Sequence, residues 1–296
     1  MKRLSIIASL LITFSVTLVA QQHNIKEINN LRYVAENEII VDSLQRLNLV
    51  LPEGVEKPPL LVWIGGGAWS YVNRHMEMGI ARALAKDGIA VASVGHRLST
   101  AEWMFPDRKE GVQHPAHVKD VAKACKWLME QAEKYGYDKE KMFIGGFSSG
   151  AHIAADIAMN PTYLEAEGLK VEQFKGIIPI SGVYDIAYYH NVFVESENPQ
   201  LAEQHVEAVF GKTEESFKAA SQIYFMDNLK LPMLFFSDQM AYRYTALFEQ
   251  KIREETEFTD FNIVHVHHLS HGDLWRNLAA EKSIYRAIIV DFMERS

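Results

Sequence analysis

Short apolar runs alternate with amphipathic stretches along this chain from residue 47 to its end. Residues 59–64 (Pro-Leu-Leu-Val-Trp-Ile), 89–94, 142–144, 176–180 and 231–236 are almost continuously apolar. Runs of that length suit strands buried on both faces. Residues 47–52 alternate well enough to predict an earlier strand, and 261–266 a last one. The intervening segments have helical character at 78–85, 115–135, 151–158, 241–255 and 278–293. In the second of these Val118, Val121, Ala122, Cys125 and Leu128 share one face. Strands that alternate with helices predict an α/β fold, with a mostly parallel central sheet covered on both faces. No internal repeat or low-complexity linker divides the chain, so residues 21–296 read as one domain. Residues from about 187 to 230 break the rhythm and are rich in Tyr, Phe, Glu and Asn. They read as an insertion over the top of the sheet, either a lid or a pocket wall.

The chemistry begins at Gly146-Phe147-Ser148-Ser149-Gly150, a G-x-S-x-G pattern with an apolar run before it and a helix former after it. A side chain at either glycine would strike neighbouring backbone, and the tight turn holds its serine strained with the hydroxyl lifted clear of the sheet. Ser148 is therefore the candidate nucleophile; the plainer alternative is a serine that only caps the helix. A serine hydroxyl is weak at neutral pH and needs a base. Among twelve histidines, His271 follows the last predicted strand, and functional groups gather at the carboxyl ends of parallel strands. That imidazole needs an acid to fix its tautomer. Asp238, just past the run 234–236, is the first choice, with helix capping as its alternative reading. Asp185, at another strand end, is the second. The loop Gly65-Gly66-Gly67-Ala68-Trp69 can offer backbone N–H groups to an oxyanion. The expected donors are Gly67 and Ala68, with Gly66 as substitute, joined by Ser149 at the helix N-terminus.

Other chemistries fit less well. The glycine run lacks the Lys-Ser/Thr ending of a P-loop and the spacing of a dinucleotide fingerprint, so no cofactor is expected. Alternation puts His265 and His267 on one face and His268 on the other. No cysteine or carboxylate pattern accompanies them, so they read as structural and no metal is expected. Tyr188, Tyr189 and Phe193 are candidates to line an acyl or alcohol pocket, or else ordinary packing.

Bulk properties narrow the setting. The formal net charge of -8 argues against nucleic acid or an anionic membrane surface as main partner. Met1-Lys2-Arg3 precedes an apolar stretch from Leu4 to Ala20, and Gln21-Gln22-His23 turns polar. Residues 1–20 thus read as a signal peptide cleaved after Ala20, with a secreted or periplasmic product; a membrane anchor is the alternative. Cys125, the single cysteine, leaves no partner for an intramolecular disulfide.

Taken together, these segments resemble the α/β-hydrolase superfamily, and within it the esterase/lipase group with an H-G-G-G-W-type loop. The loop resemblance lies in Val62 to Trp69, and Val94-Gly95-His96-Arg97-Leu98 resembles the group's Y-R-L segment. Pro115, Asp120, Ala124, Trp127 and Leu128 match its P-x-x-x-x-D-x-x-x-A-x-x-W-L helix. Two positions depart from the pattern: Gly65 stands where the loop histidine belongs, and Met240 where the usual H-G-x-x-D aspartate would fall. The resemblance implies an α/β-hydrolase fold, Ser148 as nucleophile, His271 as base and an acid after the penultimate core strand, in the chain order Ser, Asp, His. It also implies a carboxylic ester substrate, small or linked to a polysaccharide through acetyl or feruloyl groups. Amide hydrolysis, formamidase-like or peptidase, and a non-catalytic binding protein on the same scaffold are the competing readings.

Overall fold

The computed structural model describes residues 22–34 and 44–296; the expected signal peptide, residues 1–20, lies outside them. The eight strands form one sheet in the order β1-β2-β4-β3-β5-β6-β7-β8. Their bounds are β1 Ile25–Arg32, β2 Arg46–Pro52, β3 Pro59–Ile64, β4 Ala90–Val94, β5 Asp138–Phe147, β6 Phe174–Ile180, β7 Met233–Asp238 and β8 Phe261–Val266. β2 pairs antiparallel with both β1 and β4, and every other pairing is parallel. Only β2 runs against the rest, so the carboxyl ends of β3 to β8 share one edge.

The near-continuous apolar runs are needed because both faces of the sheet are covered. In β3, Leu60, Val62 and Ile64 join one core while Leu61 and Trp63 join the other, and all five are fully buried. The first core receives α2 (Ala116–Tyr135), α3 (Ser149–Met159) and the short α4 (Pro161–Ala166); the second receives α1 (Met78–Lys86). Between β6 and β7 lie α5 (Ile186–Val194), a π-helical turn (Ala202–Glu207), α6 (Ala208–Phe210) and α7 (Glu214–Ala219). These are the residues expected to form the insertion. α8 (Tyr242–Glu255) packs on the first core, and α9 (His271–Ala279) and α10 (Ile284–Arg295) on the second.

Three elements differ from expectation. β1 was not foreseen, because an edge strand with mostly exposed or half-buried residues carries little apolar signal. α4, which Asn160 caps by accepting from the Thr162 amide, was also missed. The apolar stretch 278–293 is not one helix but the end of α9 and most of α10, broken at residues 280–283. Buried Arg286 makes that break tolerable. Its guanidinium donates to the carbonyls of Leu278, Ala280 and Glu281 and to Asp87, so the open carbonyls at the end of α9 are satisfied.

One polar node ties the second half of the β4 crossover to α2. Asp120 is fully buried and accepts from the Arg97 amide (2.9 Å), from Arg97 Nε and Nη2 (2.9 and 2.8 Å) and from Gln45 Nε2 (2.9 Å). Asp120→Ala should destabilise the protein by on the order of 3 kcal/mol, the low end for a broken buried pair, because Arg97 keeps 30% of its side chain exposed. Urea denaturation of the variant and wild type checks this.

Candidate active site

The turn between β5 and α3 is as strained as the sequence pattern requires. Ser148 has φ +56° and ψ −120°, a region that residues other than glycine rarely adopt. A Cβ at Gly146 would lie 2.5 Å from the Gly150 backbone and 2.7 Å from the Ile64 carbonyl oxygen; one at Gly150 would run into the carbonyls of Ile64 and Gly65. Hence both flanking positions need glycine. The Ser148 amide donates to the Ile180 carbonyl (2.8 Å), anchoring the turn to β6. α3, buried along its whole length, holds the turn from behind, the kind of over-determination that lets strain persist.

β3 pairs directly with β5, Ile64 opposite Gly146, so the glycine loop that follows β3 emerges beside the serine turn. A Cβ on Gly66 would sit 3.1 Å from Ser148 Cβ. Gly67, Ala68 and Trp69 all have positive φ, and Gly67 accepts at its carbonyl from the amides of Ser70 and Tyr71 (2.8 and 3.1 Å). Trp69 pins the loop from the far side. It is 3% exposed and its ring meets His152 of α3 at 5.3 Å, His205 at 6.0 Å and Phe210 at 4.9 Å between centroids. Burial pushes the imidazoles of His152 and His205 down to about 4, so near neutral pH this packing involves uncharged rings.

On the other side of Ser148, His271 opens α9 and lies 4.6 Å from the Phe147 ring, centroid to centroid. His271 Nδ1 is 2.6 Å from Asp238 Oδ2. The other carboxylate oxygen, Oδ1, accepts from the amides of Met240 and Ala241 at 2.8 and 2.9 Å. Asp238 thus faces the His271 ring with one oxygen and closes the turn leading into α8 with the other; the N-cap position of α8 itself is Ala241. Burial acts to raise the Asp238 pKa, but the hydrogen bond and charge of His271 with the amide contacts outweigh it and hold the carboxyl below its ordinary value. Asp185, the other candidate acid, caps α5 by accepting from the Tyr188 amide (3.0 Å).

Ser148, His271, Gly66 and Gly67 border a common cleft of about 220 Å³, whose remaining walls include Tyr71, Val72 and Trp275. Ala68 does not border it, and neither do Tyr188, Tyr189 and Phe193. Tyr189 packs instead on Trp69 and Phe193, and Tyr188 on Tyr244. A second serine–histidine–carboxylate array exists: Ser237 Oγ lies 2.7 Å from His265 Nδ1, and His265 Nε2 3.3 Å from Glu249. Ser237 is 1% exposed within β7, so no substrate carbonyl can reach it. His265 and His267 do share a side, their rings 5.7 Å apart and both against Tyr242.

The depressed Asp238 pKa is also a statement about stability. Its contribution is complete above the unfolded carboxylate value of about 3.9 and disappears as pH falls through the lower folded value. Urea midpoints measured from about pH 6 to about pH 3 should therefore show the wild-type advantage over Asp238→Asn shrinking toward the acid end.

Comparison with known proteins places this geometry. The BD-FAE family model matches residues 47–240. Gut esterase 1 of Caenorhabditis elegans is 29% identical over 44% of this chain and 24% of its own length. The "Probable isoprenylcysteine alpha-carbonyl methylesterase ICME" of Oryza sativa subsp. japonica is 29% identical over 48% of this chain and 33% of its own length. The chain thus spans a third or less of these curated relatives. A solved structure, a truncated form of a carbohydrate esterase from gut microbiota, superimposes with a TM-score of 0.72 over 93% of this chain and 97% of the other, at 19% identity; likeness at that identity concerns the fold. With the match running from β2 to just past β7, well over half of its length, the chain belongs to the BD-FAE family and has the α/β-hydrolase fold.

Proposed function

We propose that the protein is a serine carboxylesterase acting through an acyl-enzyme on Ser148. The observation that carries this reading is the strained Ser148, with φ +56°, sharing one cleft with His271, whose far ring nitrogen is held 2.6 Å from Asp238. His271 Nε2 takes the proton from Ser148 as Oγ attacks the ester carbonyl carbon. The tetrahedral intermediate collapses, and the imidazolium returns that proton to the departing alkoxide. Water, deprotonated by the same imidazole, then attacks the acyl carbonyl, and the second tetrahedral intermediate breaks its bond to Ser148 Oγ, which takes the proton back from the imidazolium as the acid leaves. Asp238 stabilises the imidazolium without itself taking the proton. The oxyanion donors are backbone N–H groups of the glycine loop and of Ser149 at the start of α3. Gly67 and Ala68 are the expected loop donors, and the position of Gly66 and Gly67 on the cleft wall favours Gly66 as the second.

The same reading extends to substrate and compartment. A cleft of about 220 Å³ suits a compact acyl group. Tyr71 also borders a neighbouring groove of about 590 Å³ walled by Asn73, Arg97, Arg108 and Glu110. With the Arg97 charge engaged by Asp120 and Arg108 and Glu110 both on the groove wall, mixed donors and acceptors of little net charge suit a polyhydroxylated alcohol. An acetyl or feruloyl ester of a polysaccharide, met outside the cytoplasm after cleavage at Ala20, is the proposed natural substrate. No helix among the described residues is long and apolar enough to cross a membrane.

A fluorophosphonate probe should label wild-type protein and leave Ser148→Ala unlabelled. His271→Ala should nearly abolish hydrolysis of p-nitrophenyl acetate, and Asp238→Asn should reduce kcat by roughly 10⁴-fold, the loss that a wrong imidazole tautomer brings. Near-normal turnover in Asp238→Asn together with a crippled Asp185→Asn would reassign the acid. For the alcohol groove, Arg108→Ala should raise KM several-fold for an acetylated xylo-oligosaccharide and leave p-nitrophenyl acetate unchanged. Equal effects on both esters would remove the groove from the reading.

A further inference from the structure

Among the described residues, one carboxyl borders the cleft besides the groups already given roles. Glu77 occupies the N-cap position of α1 but its side chain caps nothing. It turns inward instead and is 2% exposed. Trp63 Nε1 donates to its Oε2 at 2.8 Å, and Trp275 Nε1 reaches Oε1 and Oε2 at 3.2 and 3.3 Å. Room for the carboxyl exists only because residue 65 is glycine: a Cβ there would lie 2.7 Å from Glu77 Cγ. Burying a carboxylate against two neutral donors is expensive, and an exposed cap at residue 77 would have served α1 at no such cost. The two indoles explain what the arrangement achieves. Trp63 stands in β3 two residues before Gly65, where the glycine loop departs. Trp275 stands in α9 one turn after His271, on the same side of the helix.

We propose that Glu77 is a positioning residue, gripping one indole from each side of the cleft so that the glycine loop and the His271 helix keep a fixed separation across Ser148. This rests on the esterase reading, because the groups it aligns are those that stabilise the transition state. Glu77 acts through Trp63 and Trp275, and its loss loosens donors and imidazole together. Such groups act on the transition state more than on bound substrate, so the effect falls on kcat rather than KM.

The test is steady-state hydrolysis of p-nitrophenyl acetate by wild type, Glu77→Gln, Trp275→Phe and the double variant, with a melting temperature for each. Glutamine keeps the size but removes the charge and places an NH₂ donor at one of the two oxygen positions that Trp275 Nε1 reaches. The expected result is a kcat lowered about ten- to a hundredfold in Glu77→Gln, the scale of a misplacement near 1 Å, with KM within about twofold. Trp275→Phe should lower kcat in the same sense, and the double variant should be no worse than the more affected single one, since both break the same link. A Glu77→Gln kcat within about twofold of wild type, losses that multiply in the double variant, or a change confined to KM would overturn the proposal. If Glu77→Gln does not fold, Trp275→Phe decides alone: lowered kcat supports the link, unchanged kcat overturns it. An inactive wild type would overturn the esterase reading and this inference with it, whereas an active wild type with unaffected variants overturns the inference only.

Discussion

Everything at the cleft depends on how closely the β5–α3 turn approaches the end of β3. Gly146 and Gly150 lie against the carbonyls of Ile64 and Gly65 with no space for even a methyl group. That contact does two jobs at once. It forces Ser148 into its left-handed conformation, and it sets the first residues of the glycine loop beside the serine. Close packing converts a local strain into a shared geometry, because neither segment can relax without displacing the other.

The direction of the strands supplies the rest. With β3, β5, β7 and β8 parallel, the glycine loop, Ser148, Asp238 and His271 all emerge from one edge although they lie far apart in sequence. Asp238 is the last residue of β7, and His271 begins the helix that follows β8. The carboxylate has enough lone pairs to accept two amides on one oxygen and face an imidazole with the other. Fixing Asp238 to the turn before α8 in this way leaves its second oxygen little freedom, which suits the ring-orienting role proposed for it.

Particular residues show where the sequence was legible. The pattern around Ser148 was readable because its glycines are demanded by local sterics, which any chain must obey. Strands such as 59–64 were readable because burial on both faces forces continuous apolar runs. β1 was not, since an edge strand needs only half-buried residues. The split of the last apolar stretch into α9 and α10 depended on Arg286, whose partners lie on α1's C-terminal side and on the α9 carbonyls, contacts invisible to periodicity. For the aromatics of the insertion the sequence left a pocket wall and ordinary packing both open; Tyr189 packs on Trp69 and Phe193 on Tyr189, because a large ring placed over the sheet serves equally well as core.

By itself the amino-acid order determined the fold class, the serine turn and the segments that offer the proposed base, acid and amide donors, since each of these is written in local spacing. Between Asp238 and Asp185 it could rank only by proximity to a predicted strand end, which put Asp238 first. Only the packed sheet brought one of them within 2.6 Å of His271 and left the other on α5. The inward turn of Glu77 was equally unreadable, because its partners Trp63 and Trp275 are separated by most of the chain. Distances between residues remote in sequence are set by which strands become neighbours, and that is a property of the assembled core rather than of any one segment.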